Sequence, residues 1–227
     1  MSKPDFRYRI HFSKIQKARF IGHLDLQDLF HKALKRSGLP VSYSQGFNPH
    51  QLVSFAAPLP LGTAGLDEIV EVYMDEKVHS DEVLSKLAPQ LPSGISILRV
   101  YEIAPTGKGA AALVTSATYR IILPSETIDF DKLVQATNDI LQSPCIIVTK
   151  ESKKGKSEVD IRCDIQQLSC TAKGDYNELY ATLSTGSARN LKPSLLFAYI
   201  CDTIGIDTEC IQVFYERELL LLGEVSA

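Results

Sequence analysis

The sequence predicts an α+β protein built from two tandem ferredoxin-like α/β sandwich units, each an antiparallel sheet backed by helices. Three observations lead there. Strand-type alternation and helix-type spacing follow one another in the order strand, helix, strands, helix, strand over the first hundred residues. The same order returns after residue 112, and a short Gly/Pro/Ala stretch separates the two runs. The boundaries follow as residues 1–104 for the first unit, 105–112 for a linker and 113–227 for the second unit.

Phe6–Phe12 alternates apolar and polar side chains strictly, the mark of a half-buried strand. Leu26, Leu29, Phe30, Ala33 and Leu34 recur at helical spacing, with Asp25 as the expected N-cap and Gly38 and Pro40 as the stop. Val41–Tyr43 and Leu52–Phe55 read as short extended pieces on either side of a Gly/Asn/Pro loop. Ile69–Met74 alternates as a strand, Val83, Leu84, Leu87 and Leu91 mark a second helix, and Ile95–Ile103 closes the unit as a strand. Gly107, Gly109 and three alanines make Pro105–Ala112 a linker by composition.

In the second unit, Tyr119–Leu123 reads as a strand, and Phe130, Leu133, Val134, Thr137, Ile140 and Leu141 as a helical stripe. Cys145–Thr149, Val159–Cys163 and Leu179–Leu183 read as extended. A helix carrying Leu195, Leu196, Tyr199, Ile200 and Ile204 follows Pro193, and Ile211–Tyr215 closes as a strand. Each half holds one extended segment more than a minimal ferredoxin-like unit needs.

Composition narrows the class of protein. Hydrophobic residues make up 44% of the 227 and charged residues 22%, which excludes a disordered chain. The longest aliphatic run is Leu219–Leu222, far short of the roughly 20 residues that span a bilayer, so no membrane is expected. No basic-plus-apolar leader opens the sequence. The five cysteines contain no C-x-x-C pair, which argues against a disulfide framework and a zinc ribbon and fits a reducing cytoplasmic location. Net charge is −3, but residues 1–50 carry nine Lys/Arg against three Asp/Glu and four of the five histidines. Such a basic first quarter on an acidic body predicts a phosphate-facing surface.

Two loop-like stretches hold the candidate ligand-binding residues. In the first, Arg19, His23 and Asp25 surround the start of the first helix, where free N–H groups favour anions. In the second, Ser44, Gln45, Gly46, Phe47, Asn48 and His50 combine a turn glycine, an aromatic face and side-chain donors. The expectation is that both stretches converge on one concave site. Lys14 and Lys17 are expected to touch RNA backbone from the basic quarter, and Lys153, Lys154 and Lys156 to do so from a hairpin tip. The run Lys153–Ser157 ends like a P-loop, but position 150 is lysine where that motif has glycine, and a strand follows.

The run R-F-I-G-H-L-D-L, its spacing to S-Y-S-Q-G-F-N-P-H, and the following S-F-A-A-P-L-P-L-G resemble a radical-SAM-associated domain family of unknown function. That domain is found fused to, or encoded beside, B12-binding/radical-SAM proteins. The resemblance covers nearly the whole chain. It departs from the pattern at Cys163, where proline is expected after Asp160-Ile161-Arg162. It implies a radical-SAM protein as partner, and genomic neighbours among ribonuclease and ribosomal-protein genes.

The radical chemistry itself belongs elsewhere. It needs C-x-x-x-C-x-x-C to hold an iron–sulfur cluster, and the closest cysteines here, Cys163 and Cys170, have no third nearby. The cluster and S-adenosylmethionine are therefore expected only on the partner, with no cofactor in this chain. No metal site is expected either: His11, His23, His31 and His50 form no H-x-x-x-H pair, and His23 and His31 would lie about 12 Å apart along a helix.

The function expected is a non-enzymatic RNA-binding or substrate-presenting accessory subunit of a radical-SAM modification protein, with ribosomal or transfer RNA as the nucleic acid. Two alternatives remain open at this stage. One is a structural docking partner of the radical-SAM protein without RNA contact. The other is a metal-independent endoribonuclease with His23 or His50 as general acid–base, suggested by a fold-level likeness to the repeat-processing endoribonucleases of CRISPR systems.

Overall fold

The computed structural model describes residues 5–152, 155–208 and 211–223, the side chains of 150–152 and 156 excepted. Contacts divide the chain into two units: Met1–Val114 with Arg217–Ala227, and Thr115–Glu216.

The first unit runs β1 (Phe6–Lys14), α1 (His23–Ser37), β2 (Val53–Phe55), β3 (Ala64–Met74), α2 (Ser80–Leu87), β4 (Ile95–Ile103) and α3 (Ala110–Leu113). This is the β-α-β-β-α-β order that the sequence predicts. β1 pairs antiparallel with both β3 and β4, and β2 pairs antiparallel with β3 over three residues. The alternation of β1 turns Tyr8, Ile10 and Phe12 onto α1, where they meet Leu26, Phe30 and Leu34. Burying such side chains is worth roughly 1.5–3 kcal/mol each. Phe12, Phe30 and Phe55 form a mutual aromatic cluster with centroids 4.9–6.0 Å apart.

Gly38 ends α1 in the left-handed region at φ 67°, as its position predicts. The N-cap differs. Gly22 occupies it, and Asp25 stands in the first turn instead, where its charge still opposes the positive end of the helix dipole. Helix α1 therefore begins at His23, three residues before the start that an Asp25 N-cap implies. The extended pieces around the Gly/Asn/Pro loop are paired: Val41 bridges Met74, Tyr43 bridges Gln51, and Val53–Phe55 continues as β2. The stretch read as a linker is tied to this unit at its end, where Ala110 is buried and its N–H donates to Glu71 Oε2 at 3.1 Å.

The second unit runs β5 (Val114–Pro124), α4 (Phe130–Gln142), β6 (Ile147–Ser152), β7 (Gly155–Asp160), β8 (Ile165–Lys173), β9 (Tyr176–Ser184), α5 (Pro193–Ile204) and the start of β10 (Phe214–Leu222). β9 pairs antiparallel with β5 and β8. At the start of β10, Glu216 accepts from Arg120 Nε of β5 at 3.0 Å. α4 is capped by Asp129, which accepts from Lys132 N, and α5 opens on Pro193 and ends on left-handed Gly205. The extra extended segment of this half is the β6–β7 hairpin, which forms a two-stranded sheet of its own. Strand β7 ends at Asp160, and Arg162–Asp164 turns as a short 3-10 helix where extended chain is predicted.

Candidate functional site

The basic first quarter is only partly a surface. Arg7 is buried against Glu71, and Arg9 donates to the same carboxylate through Nε and Nη2 at 3.0 and 2.8 Å. Lys14, expected at an RNA backbone, is 1% exposed, and its Nζ donates to the Arg19 carbonyl at 3.3 Å. Every residue of β1 from Ile10 to Lys14 is buried, the polar ones included. Beside Lys14, Glu68, also buried, accepts from Arg217 Nε at 2.8 Å, and Arg217 reaches the carbonyls of Pro58 and Ala57 at 3.0 and 3.1 Å. Lys17, by contrast, is exposed. Lys153, Lys154 and the Lys156 side chain lie outside the described residues.

His23 belongs to this buried ionic cluster. Its ring meets Phe55 edge-on at 5.8 Å. Burial, then the nearby charges of Lys14 and Arg217, hold its imidazole below the ordinary value, so it is neutral at neutral pH. Burial and Arg217 also lower Lys14, against the opposing pull of Glu68. Arg19 lies over the ring of Phe20 at 4.8 Å, and its carbonyl accepts from Gly62 N at 3.0 Å. Asp25 folds back over the N-terminus of α1: a Cβ at Gly22 would stand 3.1 Å from Asp25 Oδ2.

The second stretch is a closed loop. Ser44 N donates to His50 O at 2.7 Å, His50 N donates to Ser44 Oγ at 3.0 Å, and Ser44 Oγ and His50 Nδ1 are 2.7 Å apart. Gln45, Gly46, Phe47, Asn48 and His50 are all exposed, and Phe47 is fully so. Gly46 has φ 129°, a conformation that admits glycine at little steric cost.

An open pocket of about 330 Å³ lies beside this loop, lined by Asp28, His31, Lys32, Lys35, Tyr43, His50 and Gln51. Gln51 Oε1 can only accept, so His31 Nδ1 donates to it at 2.8 Å and the ring is fixed in place. Lys32 and Lys35 are exposed and Asp28 is the one carboxylate of the lining, which leaves the pocket cationic. Of the expected set His50 lines the pocket, while the charges of Lys14 and Arg217 bear on His23 at the start of α1. The pocket's helical residues were legible in one respect: positions 28, 31, 32 and 35 share one face of α1 at 3-4-7 spacing. The residues that close the pocket arrive from positions 43, 50 and 51.

Among the described residues, no three His, Cys, Asp or Glu side chains gather as a metal-binding group. Burial pushes the Cys201 thiol up to about 11 and raises Cys170, so neither favours its thiolate. No described helix is long and apolar enough to cross a membrane.

Residues 7–193 match the model of a family described as "Uncharacterized protein conserved in bacteria (DUF2344)". No curated protein matches the chain. Among solved structures, the chain is similar to an unknown protein from Galdieria sulphuraria at 10% identity, with TM-score 0.25 and 94% of this chain and 99% of that chain covered. It is also similar to a "putative glycine cleavage system transcriptional repressor" at 9% identity, with TM-score 0.24 and coverages of 96% and 98%.

Proposed function

Since the chain belongs to DUF2344, a family whose description names no activity, we propose from its own chemistry that it is a non-enzymatic RNA-binding subunit that presents RNA to a modifying partner. One observation carries this reading: a cationic pocket on α1 stands beside a closed loop that holds Phe47 fully in solvent. Lysines supply the sequence-independent attraction to phosphate, and an exposed aromatic ring supplies a stacking face. The partner in this proposal is a radical-SAM protein that carries its own iron–sulfur cluster and S-adenosylmethionine. Support for that partner is the sequence resemblance alone.

Fluorescence anisotropy with short labelled RNAs at three salt concentrations tests the proposal. Affinity is expected to fall steeply as salt rises, with log K dropping by about 0.7 per phosphate contact for each decade of salt on single strands. Changing Lys32 and Lys35 to alanine together is expected to flatten that slope. No binding by the wild-type protein below about 100 μM at low salt overturns the reading, since non-specific binders reach that range.

A docking partner without RNA contact is the second reading, and one feature favours it. Phe20, Leu24 and Leu61 are 59%, 75% and 69% exposed, and the Gly62 N–H to Arg19 carbonyl bond ties the segments of Phe20 and Leu61 together. Capture of the radical-SAM protein that fails with Leu24→Asp, alongside absent RNA affinity, would move the conclusion to this reading.

A further inference from the structure

Resting on the RNA reading of the α1 pocket, we infer that the site takes an unpaired nucleotide segment, with a base stacked on Phe47 and a neighbouring phosphate held by Lys32 and Lys35. Phe47 stands at the tip of the Ser44–His50 loop with its ring fully in solvent. Bases inside a duplex already have both faces covered by their neighbours, so a ring can stack only on a base that has left the helix or never entered one. The loop presents that ring from a fixed base: three contacts between Ser44 and His50 close it.

The pocket has the size for this task and not for a duplex. About 330 Å³ is at the low end of small-ligand pockets, whereas double-stranded RNA is held through contacts spread over roughly 16 base pairs. His50 lines the pocket and Phe47 is three residues away, so the ring's backbone lies within about 11 Å of the pocket wall. That reach places the stacking contact and the phosphate contact on neighbouring nucleotides of one strand. Asp28 and Tyr43, on the same wall, provide an acceptor and a phenol hydroxyl for the polar edge or the 2′-hydroxyl of that nucleotide.

Anisotropy on the full chain decides the matter, with an unstructured single-stranded 12-mer RNA compared with the same strand annealed to its complement at matched low salt. The single strand is expected to bind at least tenfold more tightly. Phe47→Ala is expected to weaken single-strand binding by roughly 5- to 150-fold, leaving duplex binding and the salt slope unchanged. Lys32→Ala with Lys35→Ala weakens both ligands and lowers the slope. These side chains are exposed, so the variants keep the fold, which a thermal melt verifies. Equal affinity for single strand and duplex, or a Phe47→Ala variant that binds the single strand as the wild type does, overturns this inference and leaves RNA binding standing. Absence of binding to either ligand overturns both.

Discussion

The Glu68 carboxylate accepts from Arg217 in a buried corner, and its charge also acts on Lys14. Removing one member of a buried ion pair costs about 3–5 kcal/mol, because the charge left behind has no water to solvate it. The loss depends on what remains. Glu68→Gln removes a charge that acts on two buried cations at once, Lys14 and Arg217, whereas Arg217→Met leaves Glu68 with Lys14 still to hand. Urea unfolding should therefore show Glu68→Gln to be the more damaging change, and the reverse order would refute the shared-anion account. The histidines add a pH dependence of known sign. Burial lowers both His11 and His23 below 6.5, so the unfolded chain binds more protons than the folded one as pH falls through that value. Stability is full above pH 6.5 and declines below it. His23→Phe, which keeps a ring against Phe55, is expected to reduce the drop in melting temperature between pH 7.5 and 5.5. At this scale period was legible and burial was not: the alternation of Phe6–Phe12 marks β1, but Ile10–Lys14 is buried throughout, and nothing in the period tells that Lys14 is enclosed with the rest.

Elements were predicted well where their period is unbroken and poorly where it is not. β1 begins at Phe6 and carries the strict alternation of Phe6–Phe12. β8 escaped, and its pairing with β9 gives the reason. A register shift between Ile165 and Gln167 puts its two buried apolar residues, Ile165 and Leu168, three apart instead of two. β10 was placed three residues early and cut short, because Leu219–Leu222 runs apolar without alternation. The Asp160-Ile161-Arg162 run turns out to fasten one element to another. Arg162 donates to the carbonyls of Leu141, Ser143 and Ile165 at 2.8, 3.1 and 3.0 Å, and so serves the unsatisfied C-terminal end of α4. Asp160 Oδ1 accepts from the N–H groups of Ile146 and Arg162, which hold its carboxyl below the usual range. Arg162→Lys keeps the charge but cannot span three carbonyls. A loss of about 1–3 kcal/mol is expected, with faster hydrogen exchange at the end of α4, and an unchanged α4 would show that the clamp is idle.

For the whole chain, the sequence order does not anticipate the path of the last strand. Reading along the residues gives units of 1–104 and 113–227, while contacts assign Arg217–Ala227 to the first unit with Met1–Val114. No local signal announces this, because Glu68 and Arg217 are 149 residues apart and meet only once both strands are in place. Within the first unit, Arg217 donates to the Glu68 carboxylate and to the carbonyls of Ala57 and Pro58. The last carbonyls belong to the segment between β2 and β3, so that segment depends on a residue from the far end of the chain. A chain stopped after Glu216 tests the dependence. Hydrogen exchange should then rise sharply across β2, residues 56–63 and β3, while β8 and β9 of the second unit keep their protection. Arg217→Met in the full chain separates the two contributions, since it removes the charge and leaves the strand. It should open residues 56–63 but spare β3. If the truncated chain lost protection equally in β9, the first unit's claim on the last strand would have no energetic meaning, and the boundary drawn by contacts would be one of geometry alone.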